Sequence, residues 1–166
     1  MEEEPAQQHP ASTQFCAVKK GNTITIYTTP SMEVHRTLHS EHTPVSLSPT
    51  ARVLALQTPT SVELVETKTN RVLCEIENTD SIEWISDTNV ALRKENTLVV
   101  LPLCSSGAQK PAALLFSLQG LSPKPYDIAH KRITVLEHRR VSVLAEHNGE
   151  MKTISSLAPG KYIFEV

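Results

Sequence analysis

The 166-residue sequence predicts an all-β fold arranged as an array of about four similar units, and three observations carry that reading. One pattern recurs: an apolar strand centred on an alanine, a short polar turn, and a second alternating strand. It occurs around Ala17, Ala55, Ala91 and Ala145, which stand 38, 36 and 54 positions apart. The apolar runs are short, rich in Val, Ile, Leu and Thr, and many alternate with period two, so that one face of each is apolar. No window of helical length sustains an apolar stripe at i, i+3, i+4 and i+7. Self-similarity near 40 residues marks stacked supersecondary units, and four-stranded propeller blades repeat at about 40–45 residues. The expected architecture is therefore a WD-like β-propeller array, partial because 166 residues are too few for six or seven such blades.

Residues 1–12 hold three consecutive glutamates followed by Pro5, Gln7, Gln8 and Pro10. They lack periodicity and are expected to be a disordered acidic and polar lead-in to a partial propeller domain over 13–166. Phe15-Cys16-Ala17-Val18 and Thr23-Ile24-Thr25-Ile26-Tyr27 flank Gly21-Asn22, a hairpin signal because these residues accept the positive φ of a tight turn. An outer strand follows over 32–38. The second unit takes a leading strand at 44–47, the hairpin Val53-Leu54-Ala55-Leu56 with Val62-Glu63-Leu64-Val65, and an outer strand over 71–76. The third repeats that order at 81–85, Val90-Ala91-Leu92, Thr97-Leu98-Val99-Val100-Leu101 and 112–118. Residues 121–131, with Pro123, Pro125 and Tyr126, read as a longer loop. The fourth unit is expected to lead with 132–136, turn from Val143-Leu144-Ala145 through Asn148-Gly149 to Lys152-Thr153-Ile154, and finish with 161–166.

Composition narrows the function classes. With 39% apolar but only 4% aromatic residues, the chain fits a globular protein whose core is aliphatic. A formal charge of −2 argues against broad electrostatic capture of nucleic acid or anionic membrane, so no nucleic acid and only indirect membrane contact are expected. The one basic concentration, Lys131-Arg132 with His138-Arg139-Arg140, has no interleaved aromatics for base stacking and reads as a solvated edge. Cys16, Cys74 and Cys104 are far apart and form no Cys-x-x-Cys, which disfavours a zinc site or a disulfide framework. Together with an N-terminus that lacks an apolar signal segment, they make a cytoplasmic location the expectation. His35, His39 and His42 fall on strands and a loop without completing a tetrahedral ligand set, and no Gly-x-Ser-x-Gly elbow occurs. No metal, no cofactor and no enzymatic activity are expected.

Two segments carry a resemblance. Ser48-Pro49-Thr50-Ala51-Arg52-Val53-Leu54-Ala55-Leu56 and Trp84-Ile85-Ser86-Asp87-Thr88-Asn89-Val90-Ala91-Leu92 resemble two segments of the clathrin heavy chain terminal domain, at nearly the same separation. Weaker similarity extends over about 13–140. The resemblance implies a clathrin-type β-propeller that recruits adaptors in coated-vesicle trafficking and endocytosis, binds short peptides in grooves between blades, and has neither catalytic activity nor cofactor. Against that family, this chain lacks roughly one blade between Leu103 and Ala112 and is truncated after Val166.

The family's groove for leucine-rich acidic peptides maps by resemblance onto Leu54, Ser61, Glu63 and Val65, and its two lysines onto Lys68 and Asn70 or, without a two-residue gap after Val65, onto Asn70 and Val72, so that at most one lysine, Lys68, is kept and Arg71 stands as a substitute. Glu63 replaces a neutral amide and Val65 an aromatic floor, and a carboxylate repels an acidic peptide. Leu54 and Val65 also fit plain core packing, and Lys68 and Arg71 a solvated turn. Trp84 reads as a core anchor more readily than as an interface hot spot. The implied partners are adaptor-type peptide motifs or clathrin coat components. An open arc of blades also exposes an edge and a flank, which a second copy closing the ring would cover. The alternative is a structural scaffold for protein–protein interaction without clathrin-box binding.

Overall fold

A computed structural model describes residues 14–77, 79–103, 113–118, 124–137 and 140–157. The expected lead-in at 1–12, Cys104, His138, Arg139 and the expected strand at 161–166 lie outside these residues. The described residues form fifteen strands in four antiparallel sheets, with no helix.

Sheet 1 holds β1 (Gln14–Lys20), β2 (Thr23–Thr29) and β3 (Val34–His39). The β1–β2 turn is the one the sequence signals, with Gly21 at φ 60°. The outer strand begins later than expected because Met32 takes φ 57° in a turn that its N–H closes onto the Thr28 carbonyl at 2.8 Å. Sheet 2 holds β4 (Thr43–Leu47), β5 (Val53–Gln57), β6 (Ser61–Glu66) and β7 (Arg71–Glu77). Sheet 3 holds β8 (Ser81–Trp84), β9 (Asn89–Lys94), β10 (Thr97–Pro102) and β11 (Leu114–Ser117).

Sheet 4 corrects the sequence reading. It runs β12 (Tyr126–Ala129), β13 (Arg132–Glu137), β14 (Arg140–His147), β15 (Glu150–Leu157). The expected loop over 121–131 therefore contains a strand, and 132–136 is the second strand of its sheet rather than the first. Ala145 lies in the third strand of sheet 4, whereas Ala55 and Ala91 lie in the second strands of theirs. Its match to the repeat came from local strand chemistry, not from an equivalent place in a blade. The β14–β15 turn is as expected: Asn148 at φ 52° and Gly149 at φ 81° place two positive φ values in succession, as a type I′ hairpin requires.

Alternation splits each sheet into two faces and builds three cores between consecutive sheets. Ile24, Ile26 and Leu38 of sheet 1 pack on Leu54, Leu56 and Val65 of sheet 2. The opposite face of sheet 2, with Val53, Ala55, Val62 and Leu64, packs on Val90 and Leu92 of sheet 3. The other face of sheet 3, with Ala91, Leu98 and Val100, meets Ile133, Val135 and Leu144 of sheet 4. Sheets 2 and 3 are thus buried on both faces, which is why β5 and β9 read as continuous apolar runs rather than alternating ones. The order of packing, 1 on 2 on 3 on 4, is that of successive blades.

Candidate functional site

The first strands of successive sheets are laced side by side. Trp84 Nε1 on β8 donates to Ser46 Oγ on β4 at 2.8 Å. Tyr126 on β12 donates its hydroxyl to Glu83 Oε1 on β8 at 3.3 Å, and Lys124 pairs with the same oxygen at 3.1 Å. Trp84 packs partly buried in the core between sheets 2 and 3, consistent with an anchor there.

On the far side of β4 the lacing is replaced by a groove of about 280 Å³ between β4 and β1. Its walls are Phe15, Cys16 and Ala17 on one side and Pro44, Val45, Ser46 and Leu47 on the other, with Leu54 behind. Among the described residues β1 pairs only with β2, so every second residue of β1 turns its N–H and C=O away from β2, along the edge that borders this groove. Because Ser46 alone among the lining side chains carries a strong hydrogen-bonding group, the polar surface offered there is main chain at the strand edges. The His35 ring packs at a tilt of 56° against Phe15 with centroids 4.8 Å apart, and Lys19 Nζ, also on β1, donates to the Glu41 carbonyl.

The residues mapped by resemblance do not all gather here. Leu54 and Val65 are directly opposite each other on β5 and β6, fully buried in the core between sheets 1 and 2. Leu54 also lines the groove, and it alone of the six does so. Ser61 is buried and donates to Glu75 Oε1 at 2.7 Å. Glu63, half-buried, faces Glu75 across the β6–β7 ladder. Lys68 and Arg71 are exposed at the turn between β6 and β7, where Thr67 Oγ1 accepts from Arg36 of sheet 1 at 3.1 Å.

Two polar junctions went unread in the sequence. In each, a Ser-x-Thr turn between the first two strands of one sheet meets a carboxylate of the next sheet. Thr50 donates its N–H to Asp87 Oδ1 at 3.0 Å and its hydroxyl to Oδ2 at 2.6 Å. One sheet further on, Glu146 Oε1 accepts from Ser86 Oγ, from Thr88 Oγ1 at 2.8 Å and from Asn89 Nδ2 at 2.5 Å. Asn89, fully buried, also donates to the Gly149 carbonyl at 2.9 Å, which docks the Asn148–Gly149 turn against sheet 3. Burial pushes the Glu146 carboxyl up, but the hydrogen bonds from Ser86, Thr88 and Asn89, with Lys131 nearby, outweigh it and hold the group below its ordinary value. Asp87 is likewise lowered: burial raises it, while hydrogen bonds from Ser48 and Thr50 and the charge of Arg52 lower it by more. These carboxylates fasten sheets together. Among the described residues no group of three His, Cys, Asp or Glu side chains gathers as a metal site, and no helix is long and apolar enough to cross a membrane.

No family model matches the chain, and no curated protein does so either. Solved structures do. Hsv2 from Kluyveromyces lactis superposes at TM-score 0.54 with 9% identity over 90% of this chain and 49% of its own. Hsv2 from Kluyveromyces marxianus gives 0.51 and 8% over 92% and 50%. The WD40 domain of Toxoplasma gondii coronin gives 0.46 and 14% over 93% and 45%. At such identities the Hsv2 likeness establishes fold alone: four antiparallel sheets stacked in sequence as in a β-propeller. The chain spans about half the length of the solved structures it matches.

Proposed function

We propose that this chain is a non-enzymatic protein-interaction module of the propeller class, acting in the cytoplasm, which takes extended peptides into the groove between β1 and β4. The observation that carries the reading is the groove itself: a slot walled by apolar side chains whose open surface is mostly polar main chain, bounded by the edge of β1. A peptide laid along such an edge gains ladder hydrogen bonds, while its alternate side chains fill the pocket beside Phe15, Ala17 and Leu47. Val45, half-exposed on the opposite wall, offers a test that spares the core. Val45→Arg should reduce binding of an extended apolar peptide at least tenfold in fluorescence anisotropy and leave the thermal midpoint unchanged. Unchanged affinity would remove the groove from the account.

A second, finer reading is that the module serves a clathrin coat, recruiting adaptors through clathrin-box peptides. Its support is the sequence match over 48–56 and 84–92. Burial of Leu54 and Val65 and the placement of Glu63 opposite Glu75 weigh against a preserved acidic-peptide groove at those residues. A leucine-rich acidic peptide compared with a neutral apolar one of equal length separates the two readings.

A further inference from the structure

Among the described residues, the three cores use both faces of sheets 2 and 3 but only one face each of sheets 1 and 4. Register identifies the faces left over. On sheet 1, Cys16 stands opposite Tyr27, and Val18 opposite Thr25, which stands opposite Thr37. These side chains project away from Ile24, Ile26 and the core they build. Val18 is 49% exposed and Val34, opposite Tyr27, 62%. On sheet 4, Thr134 faces Val143 and Leu136 faces Val141, all half-buried and turned away from Ile133, Val135 and Leu144. The two open faces share aliphatic and threonine side chains in cross-strand pairs, joined by Cys16, Tyr27 and Lys20 on sheet 1 and by Asp127 and Arg132 on sheet 4, and absent from the three packed cores of the described residues.

We propose that a second copy of this chain covers them, sheet 1 of one copy packing on sheet 4 of the other at two equivalent junctions. The stacking 1 on 2 on 3 on 4 continues in the same sense if the next sheet is another sheet 1, and a two-fold axis closes the series, which favours a copy over an unrelated protein. A sheet face three to four strands wide and about six residues long covers on the order of 300 Å². Four such faces bury on the order of 1,200 Å², the lower edge of a stable interface, so the dimer dissociates on dilution.

Sedimentation equilibrium of the full chain tests this. The expected mass is twice the 18.3 kDa of one chain at high concentration, falling toward one chain on dilution. Val18→Lys and Val143→Glu should each give a folded monomer, with a cooperative thermal transition. Mixed in equal amounts they should recover a dimer, because one of the two junctions then pairs lysine with glutamate and the other is unaltered. Leu136→Glu takes the place of Val143→Glu if that variant does not fold. A monomer at every concentration, a dimer that survives both substitutions, or mass that keeps growing with concentration would each overturn the proposal.

Discussion

Asn89 Nδ2 donates to Glu146 Oε1 across 2.5 Å and 57 residues of sequence, from a fully buried position on β9 to the third strand of the next sheet. Three donors converge on that carboxylate, whose side chain is 8% exposed. Removing the acceptor takes it from both hydroxyls and from one Asn89 N–H, leaving Asn89 its bond to the Gly149 carbonyl. Glu146→Ala should therefore destabilise the fold by about 2–4 kcal/mol, and Glu146→Gln, which keeps one acceptor oxygen, by about half as much. Urea denaturation followed by circular dichroism measures both, and equal losses would show that the charge, not the acceptor, matters.

Acid should loosen the same junctions. The carboxyls of Asp87 and Glu146 are held below their ordinary values of 3.8 and 4.5 in the folded chain. A group lowered on folding contributes stability that is complete above its unfolded value and is lost as pH falls through its folded value. Thermal midpoints should thus hold steady down to about pH 5 and fall below that. The double variant Asp87→Asn, Glu146→Gln should start lower and lose less on acidification. An undiminished acid slope in the double variant would assign the effect to other carboxylates.

The residues mapped by resemblance divide by burial. Leu54, fully buried between sheets 1 and 2, should cost about 3 kcal/mol as Leu54→Ala, because its methyl groups leave a cavity among Ile24, Ile26 and Val65. Lys68→Glu, in an exposed turn, should change stability by less than about 0.5 kcal/mol. If it also leaves acidic-peptide binding unchanged, the basic side of the inherited groove has no role here.

Trp84 holds β8 to β4 through its indole N–H. Trp84→Phe keeps most of the packing and removes that donor, so a loss of about 1 kcal/mol is expected, read from the urea midpoint. A loss no larger than the scatter between repeat titrations would show that packing alone fixes the two strands.

Most hairpins were legible because each is announced locally, by apolar runs of strand length on both sides of a short polar turn. β12 was not: Tyr126-Asp127-Ile128-Ala129 is four residues long, follows Pro125, and turns through His130 and Lys131. Both turn residues adopt positive φ, 51° and 58°, with neither the glycine nor the asparagine that marks such turns in sequence. Missing that strand displaced the whole fourth unit by one place. The Glu146 junction was hidden for a different reason. Ser86, Thr88 and Asn89 look like ordinary turn residues, and only the stacking of sheet 4 on sheet 3 brings a carboxylate to them. The groove was also invisible, since it depends on β1 lying beside β4 rather than on any motif.

Hydrogen–deuterium exchange resolved by peptide tests the central claim, that four sheets stack in sequence with sheets 2 and 3 enclosed. The slowest exchange is expected over 53–66 and 89–102, where both faces are buried, with protection of 126–129 comparable to that of 132–137 and faster exchange along 14–20, whose edge lines the groove. Exchange over 89–102 as fast as over 14–20, or rapid exchange of 126–129, would contradict the stacking order from which every other conclusion follows.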